Sequence, residues 1–119
     1  MADAAQAEKP PGTMTSRKEN GIGWMIYDQV AKHNAVTYDM RCAIPGIMAD
    51  FEADDDVRVA VIAGAGEKAF ISGSDISQFG EKRSSEEARE LYDEASEQAN
   101  AAMNSFSKPM IAMIHGYCL

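Results

Sequence analysis

The run Val57-Arg58-Val59-Ala60-Val61-Ile62-Ala63, broken by Gly64-Ala65-Gly66, narrows the fold more than any other stretch of this 119-residue chain. Its β-branched residues favour extended backbone and the glycines end it, so the run predicts a strand. The segments around it alternate in kind. Before it, Ile22 to Tyr27 carries Trp24, Met25, Ile26 and Tyr27 between a glycine-rich entry and Asp28, which suits a second strand. Between the two, Met40, Ile44, Ile47, Met48 and Phe51 recur at helical spacing. That spacing predicts a helix roughly from Thr37 to Glu52, with Asp39, Arg41 and Asp50 exposed. Pro45 removes a backbone donor in mid-helix, which predicts either a kink or a helix whose regular part begins near it.

After the central run, Ala69-Phe70-Ile71 starts another strand. Ser84 and Glu87 form a capping-box pair before a helix with Leu91, Tyr92, Ala95, Ala99, Ala102, Met103 and Phe106 on one face. Pro109 closes that helix, and Met110 to Ile114 makes a short apolar strand running into His115-Gly116-Tyr117-Cys118-Leu119. Strands alternating with helices define an α/β class. Residues 1 to 20 lack periodicity and contain Pro10-Pro11-Gly12, so they read as a flexible tail ahead of a domain over 21–119.

Charge and cysteine content exclude several functions. Nineteen acidic residues against eleven basic ones give a formal net charge of −8, which would repel a nucleic acid. Cys42 and Cys118 show no metal-type spacing to each other or to His33 and His115, so no metal site is expected and a reducing compartment fits. No early apolar core suits a signal peptide, and no run approaches the ~18 apolar residues of a membrane span. The expectation is a soluble, cytoplasmic protein.

Three familiar motifs lose to simpler readings. Gly64-Ala65-Gly66-Glu67-Lys68-Ala69 fits a dinucleotide-binding pattern, but strand-like Phe70-Ile71 follows where a helix should hold the phosphates. Ser72, Ser74, Asp75 and His115 lack the nucleophile elbow of a hydrolase triad. The acidic run from Glu81 to Glu97 reads as a solvated helix face.

The stretch "AFISGSDISQF", residues 69 to 79, is more specific. A strand end turning through Gly73 aims successive backbone N–H groups into a cleft, and small side chains at Ser72 and Ser74 let a ligand approach. Asp75 would brace that turn and leave the Ser74 N–H free. A free donor facing a carbonyl oxygen is half of an oxyanion hole.

Together, "VRVAVIAGAGEKAFISGSDISQF" and, after a helix, "SKPMIAMIHGYCL" resemble the enoyl-CoA hydratase/isomerase, or crotonase, superfamily. The resemblance covers residues 21 to 119 and implies the N-terminal portion of that family's ββα spiral. It implies that Ser74 N–H donates to a thioester oxyanion, and that the backbone of Ser72, Gly73, Ser74, Asp75 and Ile76 lines the acyl-CoA channel. "VAKHNAV" is similar to the family's earlier coenzyme A loop, making His33 and Ala35 backbone contacts and Lys32 a phosphate neighbour. Tyr117 and Leu119 complete the implied binding set. Where relatives often carry a small apolar residue, Ser74 adds a hydroxyl that changes the polarity of the pocket.

The resemblance further implies a homotrimer or homohexamer, and coenzyme A as part of the substrate with no separately bound cofactor. The implied reaction is hydration of a 2-enoyl-CoA through an enolate. The family's second oxyanion donor and its catalytic carboxylates lie beyond the "GYCL" segment, so the alternative expectation is a non-catalytic acyl-CoA-binding or assembly fragment. Lys32, Lys82 and Arg83 are the basic residues nearest the expected site, the last two equally suited to simple solvation.

Overall fold

A computed structural model describes residues 12–75 and 86–119 of the chain. Its elements run β1 (Thr13–Glu19), β2 (Ile22–Asp28), a short 3-10 turn (Val30–Lys32), α1 (Tyr38–Ala53), β3 (Val59–Gly64), β4 (Ala69–Ile71), α2 (Glu86–Ser105), β5 (Met110–Ala112) and β6 (Tyr117–Cys118). Four strands form one sheet in the order β1-β2-β3-β5, while β4 and β6 form a second, two-stranded sheet. The strand predicted over Val57 to Ala63 forms as β3 and lies inside the four-stranded sheet, parallel to β2 on one side and to β5 on the other. Apolar side chains at nearly every position of β3 suit a strand flanked in this way.

One face of the sheet carries the core. Along β2 burial alternates strictly, so Met25 and Tyr27 point inward while Trp24 and Ile26 are half-buried on the other face. Met40, Ile44, Met48 and Phe51 of α1 pack onto that inner face with Ala60 and Ile62 of β3, Phe70 of β4 and Ala99 of α2. The α1 stripe is the predicted one, except that Ile47 is only half-buried.

Several expectations are corrected. Thr13–Glu19 belongs to no tail: it pairs antiparallel with β2 over its whole length, from Thr13 opposite Asp28 to Glu19 opposite Ile22. Its polar residues suit an exposed edge, and the pairing comes from backbone hydrogen bonds that leave no hydrophobic pattern. Arg17 adds a cation–π contact 5.0 Å from the Trp24 ring. The helix α1 does not begin near Pro45 but runs through it from a Thr37 N-cap, whose hydroxyl accepts from Met40 N at 3.1 Å. On α2, Leu91 is exposed, and the buried face passes instead through Tyr92, Ala95 and Ala99. Ser84 of the expected capping box lies outside the described residues.

The start of β5 is clamped to the end of α1. Glu52 accepts from the Ser107 N–H at 2.8 Å and from its hydroxyl at 2.5 Å. Lys108 Nζ donates to the carbonyls of Phe51, Asp54 and Val57 at 2.6, 2.8 and 2.8 Å. Lys108 therefore gives a charged donor to Phe51 O in the last turn of α1 and to two carbonyls of the segment that follows it. Among the described residues no helix is long and apolar enough to cross a membrane, and no cluster of His, Cys, Asp and Glu is arranged to hold a metal ion.

Candidate functional site

Three segments meet at one end of the sheets: the loop after β2, the turn after β4, and the β6 segment. The loop after β2 owes its shape to Asn34. His33 and Asn34 both take left-handed backbone, with φ of 53° and 59°. Asparagine tolerates that region because its amide can bond locally. Asn34 is almost fully buried; its Nδ2 donates to Ala65 O and Ala69 O at 2.9 Å each, and its Oδ1 accepts from Gln29 N at 2.9 Å. One side chain thus pins the loop to the β3–β4 connection.

Gly64 permits that close approach. A Cβ there would lie 2.6 Å from Ala69 O and 2.8 Å from Asn34 Nδ2. As expected, the chain after Gly64-Ala65-Gly66 turns directly into β4, with no helix start there to hold phosphates.

The turn after β4 is joined to the loop by a parallel bridge between Val36 and Ser74. Val36 N donates to Gly73 O at 2.7 Å, and Asp75 N donates to Val36 O at 2.9 Å. In a parallel bridge these two bonds straddle the middle residue, so the N–H and C=O of Ser74 face the opposite edge. Among the described residues the Ser74 N–H has no acceptor. Gly73, at φ 116°, supplies backbone that other residues rarely adopt.

Asp75 braces the turn from within. Its buried carboxylate accepts from Gln29 Nε2 at 3.2 Å, and Lys32 Nζ stands 3.5 Å away. Gln29 Nε2 also donates to Ala35 O at 2.6 Å, while Ala35 N donates to Lys32 O at 3.1 Å. A ligand contact at the Ala35 backbone is therefore confined to the second lone pair of its carbonyl. Ser72 Oγ donates to Lys32 O at 3.3 Å.

β6 closes the group. Tyr117 N donates to Lys68 O at 3.0 Å and Leu119 N to Ile71 O at 3.1 Å. The Tyr117 ring meets His33 at 5.4 Å between centroids. Hence His33, Ala35, Ser72, Gly73, Ser74, Asp75, Tyr117 and Leu119, scattered in sequence, come from three adjoining segments, with Leu119 almost fully exposed. Ile76, Lys82 and Arg83 lie outside the described residues. His115 stands apart, its Nε2 3.0 Å from Gly66 O.

Residues that the sequence reading left unassigned also reach this place. Gln29 and Asn34 hold the loop, and Arg41 reaches the Ser74 hydroxyl, with Nη2 to Oγ at 2.7 Å. Arg41 also donates from Nε to Tyr92 OH at 3.2 Å, linking α1 to α2. Helical spacing placed Arg41 on the exposed side of α1, and only the arrival of α2 and the 72–75 turn covers it.

Residues 22–119 match the sequence profile of the enoyl-CoA hydratase/isomerase family. The chain belongs to that family. Its relatives include carboxymethylproline synthase of Pectobacterium carotovorum subsp. carotovorum, 30% identical over 92 residues, an alignment taking in 77% of this chain and 36% of that enzyme. The short-chain-enoyl-CoA hydratase of Clostridium acetobutylicum is 26% identical over 102 residues, covering 86% of this chain and 38% of the relative. An enoyl-CoA hydratase/isomerase family protein from Hyphomonas neptunium superposes with a TM-score of 0.83 at 31% identity, over 88% of this chain and 40% of that one. The mixed α/β architecture is thus that of the crotonase fold, and the chain spans well under half the length of these relatives.

Proposed function

We propose that the chain holds an acyl-CoA thioester with its carbonyl oxygen against the Ser74 N–H, as part of an enzyme that hydrates a 2-enoyl-CoA. The observation carrying this reading is the Ser74 amide. Its neighbours Gly73 and Asp75 spend a carbonyl and an N–H on Val36, while the Ser74 donor between them is unspent among the described residues. A donor fixed in a braced turn needs no reorganisation when negative charge develops on the thioester oxygen, which is why such donors stabilise enolate-like transition states. Hydration then takes a general base to deprotonate water attacking the β-carbon and a general acid to protonate the α-carbon of the enolate. His33, Tyr117 and the Ala35 carbonyl lie where coenzyme A would pass, and Lys32 offers its positive charge to a phosphate. We include in the proposal a homotrimeric or homohexameric assembly, for which the exposed Ile111, Ile114 and Tyr117 offer apolar surface.

A second reading, a non-catalytic acyl-CoA-binding or assembly module, is favoured by one observation. The carboxylate next to Ser74, that of Asp75, is buried and engaged by Gln29 and Lys32, so it is not available as an acid or base.

Titration calorimetry with butyryl-CoA tests the shared claim. Ser74→Pro deletes the N–H and is expected to weaken binding about tenfold, while Ser74→Ala stays within about threefold. Equal losses in both variants would move the function from the backbone to the hydroxyl. Crotonyl-CoA turnover separates the readings: with hydration, Ser74→Pro lowers kcat by about 10²–10³; binding without turnover selects the module.

A further inference from the structure

Among the described residues, Arg41 presents a positive charge with no carboxylate partner beside the proposed thioester site. Its hydrogen-bond partners, Ser74 Oγ at 2.7 Å and Tyr92 OH at 3.2 Å, are neutral, and its Cζ lies 5.3 Å from the Tyr92 ring centroid. A guanidinium has five N–H donors and stays ionised throughout the range in which proteins fold. Two donors are thus engaged by side chains, and among the described residues no carboxylate pairs with the group. A partly buried cation without a counter-ion is unfavourable, and none of the carboxylates among the described residues supplies one. The charge reaches its surroundings: burial pushes the Tyr27 hydroxyl up, and Arg41 pulls it back. From Ser74 Oγ the covalent path through Cβ and Cα leads directly to the Ser74 amide, so one residue links cation and donor.

We propose that Arg41 is a specificity-determining residue that recognises a carboxylate carried on the acyl group of the bound thioester. Ser74 Oγ and Tyr92 OH fix the plane of the guanidinium, and its N–H groups left unspent among the described residues form the fork that matches a carboxylate. The ligand class is an acyl-CoA whose acyl chain bears a second, free acid group. The proposal rests on the Ser74 reading, since that amide locates the thioester.

Calorimetric titration of the full chain with valeryl-CoA and glutaryl-CoA tests it; the two thioesters have equal carbon counts and differ in a terminal carboxylate. The expected result is glutaryl-CoA tighter by about tenfold or more, the advantage shrinking as salt is raised. Arg41→Met collapses the ratio of the two affinities to about one. Arg41→Lys, which keeps charge without the fork, and Tyr92→Phe, which releases Nε, each reduce it in part. Should Arg41→Met fail to fold by thermal unfolding, those two variants carry the test. Equal affinities in the unmutated chain, or an unchanged ratio in the variants, would overturn the proposal and leave Arg41 a tie between α1 and α2. Failure of the unmutated chain to bind either thioester would overturn the Ser74 reading and this one with it. Binding of valeryl-CoA without preference would overturn this one alone.

Discussion

Gly73 adopts φ 116°, and among the described residues, its chain neighbours aside, no heavy atom lies within 4 Å of where its Cβ would sit. The constraint at this position is therefore conformational and not steric. Gly73→Ala is expected to destabilise the fold by about 1–3 kcal/mol through strain alone, measured as a lowered midpoint in urea unfolding. Relief of that strain would rotate the peptide into Ser74, so thioester affinity should fall in the same variant. A stable variant with unchanged affinity would show that the turn does not set the direction of the amide. Asn34 makes the complementary point, because its buried amide serves three backbone groups that no apolar residue could satisfy.

Elements differ in how far their sequence reveals them. β3 and the buried stripe of α1 follow from local pattern because burial writes a period into the residues. β1 was hidden for the opposite reason: an edge strand is held by backbone bonds to β2, and Thr15, Ser16 and Lys18 need no apolar rhythm. The passage of α1 through Pro45 is likewise a tertiary outcome, with the packing of Met40, Ile44, Met48 and Phe51 outweighing one lost backbone bond. At the site, the small residues and glycine of the 72–75 turn were legible, whereas Gln29, Arg41 and Tyr92 act through contacts between distant segments. Lys108 shows how much one such contact holds. Replacing it by Met strips three carbonyls of a charged donor, and a loss of about 2 kcal/mol in unfolding free energy is expected, since water can reach part of that surface. An unchanged urea midpoint in Lys108→Met would contradict that role.

For the whole molecule, charge sets the pH range of stability. Hydrogen bonds from Ser107 hold the Glu52 carboxyl below its ordinary value of 4.5, and Lys18 does the same to Asp54 from 3.8. Groups lowered on folding contribute fully above their unfolded values and lose that contribution as pH falls through the folded ones. Lys18, raised chiefly by Asp54 and Asp50, behaves oppositely, contributing below 10.5 and losing it as pH rises. The melting temperature should therefore hold through neutral pH and decline below about pH 4.5. Glu52→Gln should make that acid decline shallower; a curve parallel to the unmutated one down to pH 3 would remove Glu52 from the account.

The bridge between Val36 and Ser74 fuses two stretches of chain that lie far apart in the sequence into one mechanical part. Surface loops usually absorb an extra residue with little consequence. Here, lengthening the segment between β2 and α1 by one residue would slide Val36 past its partner, and the displacement would be felt at position 74 although nothing there had been altered.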